Sequence, residues 1–357
     1  MKAPRPEKAS SGERKREVAG KPTSFDIAEL AGVSQPTVSR ALRGSPTVSE
    51  ATRNRIQEIA RQLNYKVDKN ASNLRSRHSN TLALLLFEDP TPDDSMINPF
   101  FLAMLGSITR ATARRGYDLL VSFQQLSSDW HTDYEDSRKA DGLILLGYGD
   151  YRDYQERHAR LVEQGTHFVR WGSEEPGHPE VVVGSDNRAG GHAVTQHLIE
   201  LGRRRIGFIG EIGTGSPEFR ARYDGYCDAL REAGLEPAAQ YPAHNAEEDG
   251  NVAARHFLEQ GVDLDAIVCA SDMIAIGAMR ALQKAGLKVP EDVALTGFDD
   301  ILAASFANPP LTTVVQDVRA AGELLVSKLH DLIHKGQSVS DVIPTRLVVR
   351  QSSGAGG

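Results

Sequence analysis

Apolar and polar positions follow two different rhythms along this chain. Between residues 25 and 65 apolar residues fall at helical spacing in three short segments. Ile27, Leu30 and Ala31 mark a first helix from Phe25 to Ala31, and Gly32 supplies the permissive backbone of a tight turn. Ser34 caps a second helix from Gln35 to Leu42, Pro36 fits its first turn, Val38, Ala41 and Leu42 face inward, and Gly44 stops it. After Ser49, a further cap, Ile56, Ile59, Ala60 and Leu63 recur at i, i+3, i+4 and i+7 and close a small core around Tyr65. From Thr81 onward the rhythm changes to apolar runs of strand length: TLALLLF (81–87), YDLLVSF (117–123), GLILLG (142–147), HFVRW (167–171), RIGFIG (205–210), AIVCAS (266–271) and VALTGF (293–298). Helical stretches separate these runs, which predicts parallel sheets covered on both faces. A small all-α head therefore precedes a larger α/β body.

Charge separates the same two parts. Residues 1–79 carry 16 Lys and Arg against 8 Asp and Glu, and the rest carries 25 against 40, so a head of +8 and a body of −15 make up the overall −7. A basic head suits a polyanion, and an acidic body stays away from one. Residues 1–22 are rich in charge and proline, lack an apolar face and read as a disordered tail. Their positive start is not followed by an apolar segment, and no stretch reaches membrane-spanning length, so a cytoplasmic, nucleoid-associated protein is expected. Cys227 and Cys269 are 42 positions apart with no CxxC spacing, which indicates neither a disulfide framework nor zinc. His192 and His197 stand beside no carboxylate at zinc-site spacing and read as ordinary helix surface. The glycines of GEIGTGS (210–216) lack the Lys-Ser/Thr of a phosphate cradle, and no nucleophile stands beside a base. No metal, no cofactor and no enzyme is expected.

The spacing of the first two helices is that of a helix-turn-helix, whose second helix enters the major groove. That helix turns Gln35, Thr37, Ser39 and Arg40 outward, short hydrogen-bonding groups and one cation able to reach base edges and phosphates. The stretch 23–65, with AGVS followed by TVSRAL, resembles the lactose-repressor/galactose-repressor family of bacterial transcription regulators. The resemblance puts Ser34, Gln35, Pro36, Thr37, Ser39 and Arg40 at the DNA. Pro36 has no side-chain donor, so base choice falls to Gln35, with adenine as a candidate, and to Arg40, with guanine as one. It also implies that DKNASNLRSRHS (68–79) is a hinge helix that folds on the operator, where Leu74, with Ala71 one turn earlier, wedges into the minor groove. Asn73 and Arg75 would serve nearby edges and phosphates. An ordinary linker is the alternative for this segment.

The resemblance continues through NPFF (98–101), DNRAGG (186–191), IELGRRRIGFIG (199–210), ASDMIAIGAMRAL (271–282), LTGFDD (295–300) and PPLTTVVQD (309–317). It implies a two-lobed body like the type I periplasmic-binding proteins, with three crossovers and an effector between the lobes. The expected boundaries are a head at 23–66, a hinge at 67–79 and a body at 80–351. One lobe would hold about 80–184 and 318–345, and the other about 185–317 with a final strand RLVVR (346–350). Arg222 matches the family's effector-binding arginine, a planar fork for hydroxyl pairs or a carboxylate. Asp299 and Asp272 would accept hydrogen bonds from effector hydroxyls, with helix capping as the alternative for each. Gln316 lies at a crossover, and Phe100 and Phe101 would line the pocket, core packing being the alternative for one of them. Trp171 stands where many relatives carry Asp and could stack on a sugar ring. A carbohydrate effector is favoured over a purine.

These readings amount to a homodimer on a near-palindromic operator, released when a small sugar closes the cleft. Tightening by the ligand is the opposite possibility. With no heptad segment after Arg350, a dimer is expected in place of a coiled-coil tetramer. The rival readings are a transporter's solute-binding protein, which the basic head opposes, and a sugar-modifying enzyme, which lacks a catalytic constellation.

Overall fold

The computed structural model describes residues 22–65, 78–87, 97–123, 129–147, 151–174, 179–213 and 215–354. The chain divides into two compact units, residues 1–76 and 77–357. In the first, α1 (Ser24–Ala31), α2 (Gln35–Leu42) and α3 (Glu50–Gln62) bury Ile27, Ala31, Val38, Ala41 and Ile56 against one another. Thr23 and Asp26 form a reciprocal capping box at the start of α1, and Gly32 ends that helix with a left-handed φ of 62°. Only glycine takes that conformation without strain, so the turn into α2 rests on this residue. Ser34 occupies the N-cap position of α2 without a side-chain capping bond, because its hydroxyl pairs with that of Thr37 at 2.9 Å.

Among its described residues the second unit holds two larger sheets and a two-stranded one. Strands β1 (Thr81–Leu86), β2 (Asp118–Phe123), β3 (Leu143–Leu146), β4 (Phe168–Trp171) and β5 (Val181–Ser185) join β11 (Asp341–Ile343) in the order β11-β5-β4-β3-β1-β2, all parallel. The pleat explains why β1 is apolar throughout. Leu82, Leu84 and Leu86 pack on one face with Phe100, Met104 and Ile108, while Ala83 and Leu85 pack on the other with Trp130, Leu161 and Phe168. The second sheet runs β7 (Ala239–Tyr241), β6 (Ile206–Ile209), β8 (Ala266–Cys269), β9 (Ala294–Thr296), again parallel.

Two features depart from the sequence expectation. The final strand, β12 (Arg346–Val348), runs antiparallel to β10 (Thr313–Val315), an exception to the parallel pattern, and the chain then tucks under the second lobe. Ser352 accepts from the amide of Thr312 at 2.8 Å and donates to the carbonyl of Leu295 at 2.6 Å, so the lobe extends through these buried serines. Strands β5, β7, β10 and β11 are not among those the sequence predicts, β7 because AQY carries no apolar run and forms an edge. Among the described residues no helix is long and apolar enough to cross a membrane.

Candidate functional site

On the head, α2 presents Ser34, Pro36 and Arg40 as exposed and Gln35, Thr37 and Ser39 as half-buried. The Gln35 amide donates to the Ser24 hydroxyl at 3.2 Å, and the Arg40 Nε donates to the Pro36 carbonyl at 3.2 Å. These bonds fix the approach of both side chains and leave the other Arg40 nitrogens turned to solvent. Ala71, Asn73, Leu74 and Arg75 lie outside the described residues.

Open parallel sheets place their ligands at the carboxyl ends of their strands. Two helices of the body approach closely: α6 (Asn187–Glu200) and α7 (Pro217–Glu232). A methyl on Gly191 would overlap the carbonyl oxygen of Arg222, and one on Gly225 would overlap that of Arg188. The glycines of DNRAGG thus let α7 seat Arg222, which is 1% exposed. Its Nε donates to Asn187 Oδ1 at 2.8 Å, and its Nη1 donates to the Ala270 carbonyl and lies 3.6 Å from Asp299 Oδ1. The guanidinium lies over the Phe298 ring at 3.8 Å and the Phe219 ring at 5.1 Å. Its Nη2 is buried with no hydrogen-bond partner among the described residues. Leaving a cationic donor unpaired in a dry site is costly, so an acceptor belongs there.

Asp299 and Gln316 complete this group, with Gln316 Nε2 donating to Asp299 Oδ1 at 2.6 Å. Asp299 and Asp300 carry positive φ values of 112° and 54°. That strained backbone is held by the bond from Asp299 N to the Val314 carbonyl at 2.8 Å and by Arg350 on Asp300 at 2.7 Å. Asp272 differs from its expected role. It is fully buried below this group; Oδ1 accepts from the Thr313 hydroxyl at 2.5 Å and Oδ2 from the Ile301 amide at 2.8 Å. Burial and the neighbouring Asp299 push its carboxyl well above the ordinary carboxylate range. Both oxygens being occupied, Asp272 braces the LTGFDD turn. Nor does it cap its helix, α9 (Asp272–Lys284), whose cap is Ser271.

Phe100, Phe101 and Trp171 gather on the other lobe, with Phe100 5.3 Å from Phe101 and 6.0 Å from Trp171 between ring centroids. Trp171 is only 5% exposed and packs into the core at the end of β4, which limits the face it offers a ligand.

Two further residues had no signal in the sequence. Asn245, after β7, is 8% exposed, and neither its Oδ1 nor its Nδ2 has a partner among the described residues. Glu218 reads as an ordinary first-turn acid of α7, yet its Oε1 accepts from the amide of Ser173 at 2.8 Å and so bridges the two lobes. Arg170, paired with Glu180 at 3.1 Å, donates to the Ser173 carbonyl at 2.7 Å and holds the same loop from the other side. His197 corrects the surface reading: it is half-buried, and its Nε2 pairs with the Ser353 hydroxyl at 2.9 Å. His192 pairs with Glu232 at 2.9 Å. Among the described residues no group of three His, Cys, Asp or Glu side chains is placed to hold a metal.

Comparison with known proteins matches residues 25–68 to "Bacterial regulatory proteins, lacI family" and residues 195–353 to "Periplasmic binding protein-like domain". The HTH-type transcriptional regulator CelR of Thermobifida fusca is 33% identical over 344 residues, 93% of this chain and 98% of that protein. A lac repressor dimer bound to operator and the anti-inducer ONPF aligns with a TM-score of 0.81 at 25% identity, over 94% of this chain and 99% of the other. A CelR-cellobiose complex aligns with a TM-score of 0.69 at 32% identity, over 93% and 99%.

Proposed function

The chain belongs to the lacI family of bacterial regulatory proteins and is a DNA-binding transcription regulator, and from that premise we propose that a small carbohydrate in the cleft releases it from its operator. The observation that carries this reading is the buried Nη2 of Arg222, which has no partner among the described residues, beside the Asp299–Gln316 pair. Asn245 adds an unmet donor and an unmet acceptor. A ligand answering all of these needs offers acceptors and donors together, which hydroxyl groups do. Trp171, at the end of β4, offers the carbon face of a ring a limited apolar edge, while Phe100 and Phe101 pack in the core behind it. The cellobiose bound by CelR points the same way.

The regulator works as a homodimer in the cytoplasm, on nucleoid DNA. Large apolar side chains stand exposed at Leu120, Val121 and Phe123 on the edge strand β2, at Leu102 on the helix between β1 and β2, and at Leu302 and Phe306 on the short helix after Asp300. A twofold axis through such faces matches a near-palindromic operator. Each head places α2 in the major groove, and each Leu74 enters the central minor groove. The ligand acts by binding one arrangement of the lobes better than the other.

Calorimetric titration of the full chain with mono- and disaccharides, and with purines as the comparison, tests the ligand class. One sugar should bind, and Arg222→Lys should weaken it about 10- to 100-fold, the range for a hydrogen bond to a charged group. Binding of purines alone would overturn the carbohydrate assignment.

A further inference from the structure

Phe25 is 71% exposed in the first turn of α1, off the Ile27, Ala28 and Ala31 stripe that makes the head's core. Its neighbour Ser24 accepts the hydrogen bond from Gln35, the first residue of the recognition helix α2. The two bonded residues therefore each have an exposed apolar neighbour, Phe25 on one side and Pro36 on the other. A ring cannot neutralise a phosphate. The adjoining Asp26 carboxylate, drawn back onto the Thr23 amide and hydroxyl at 2.7 Å each, makes this helix end unfavourable for one. What the major groove offers an apolar group is the 5-methyl of thymine. We propose that Phe25 is a specificity-determining residue that packs on a thymine methyl beside the base pair reached by Gln35, so that the end of α2 closed to donors by Pro36 is read through shape and apolar contact.

The test starts from an operator selected out of random DNA by the full chain. Each thymine is then replaced in turn by deoxyuridine, which removes only the methyl, and affinity is measured at fixed salt for wild type and Phe25→Ala. One thymine per half-site should weaken wild type about fourfold on losing its methyl, the factor that corresponds to roughly 0.8 kcal/mol for one buried carbon. The same replacement should leave Phe25→Ala unchanged, while Phe25→Met keeps most of the methyl dependence. Equal circular dichroism and equal affinity for non-specific DNA establish that the variant heads are folded. Losses that simply add in the double change, or no thymine whose methyl matters to wild type, would overturn the proposal and assign the exposed ring to a protein partner.

Discussion

At the scale of single residues, the site is defined by what is left unpaired. Asn245 buries two polar atoms that have no hydrogen-bond partner among the described residues, so replacing them breaks no hydrogen bond there. Asn245→Leu, which keeps the branching and removes the polar atoms, should leave the thermal midpoint unchanged or raise it while lowering effector affinity about 3- to 10-fold, the range for one or two neutral hydrogen bonds. A lowered midpoint with normal ligand affinity would make Asn245 a structural residue. His197 gives a prediction in pH. Burial holds its imidazole below the ordinary value of 6.5, with Glu200 opposing. The unfolded chain takes up a proton near pH 6.5 and the folded chain takes it up only at lower pH, so stability present above that value is lost as pH falls through it. The fall in melting temperature between pH 7.5 and 5.5 should be smaller in His197→Gln than in wild type; equal falls would contradict the assignment. Asp299 and Gln316 sit in motifs of the family and Arg222 at the position the resemblance gives to the effector, so the sequence put these three forward as candidates. Asn245 and Glu218 were not, since their chemistry arises from burial and from the opposite lobe, which spacing along the chain does not encode. Asp272 shows the converse, a motif carboxylate whose oxygens the fold has already used.

At the scale of elements, two small features position the site. The α6–α7 contact is close only because Gly191 and Gly225 have no side chain. Gly191→Ala should push α7 outward, cost about 1–3 kcal/mol as overpacking does, and weaken effector binding through Arg222, with binding of non-specific DNA intact. Unaltered ligand affinity in a folded variant would separate Arg222 from this packing. The bond from the Ser173 amide to Glu218 ties the loop after β4 to the start of α7. Glu218→Ala should loosen the lobes, visible as a larger radius of gyration in solution scattering of the ligand-free protein; an unchanged radius would make the bond incidental. Strands such as TLALLLF were legible because both faces are buried and the run is apolar without a break. The antiparallel β12 was not, because its partner lies more than thirty residues away and RLVVR carries no sign of strand direction.

At the scale of the whole molecule, the opposite charges of the two parts follow their tasks. A basic head approaches DNA, and an acidic body does not compete for it. The proposed dimer would link the two tasks: Leu302 and Phe306, at 77% and 78% exposure, are apolar groups that water alone does not favour. Phe306→Glu should shift the protein toward monomer in sedimentation and reduce operator affinity, while sugar binding persists; an unchanged dimer would place the interface elsewhere. The division into head and body was plain from hydrophobic rhythm and charge, the two lobes were expected from the family resemblance, and the contact between them through Ser173 and Glu218 became visible only in the folded chain. The central claim is that ligand in the cleft sets the grip of the head on DNA. Its most direct test is an operator titration at fixed salt, with and without the sugar found by calorimetry, on wild type and Arg222→Lys. The sugar should lower wild-type operator affinity at least tenfold and leave the Arg222→Lys protein on the DNA at the same concentration. Operator affinity indifferent to a bound sugar, or equal release of both proteins, would contradict it.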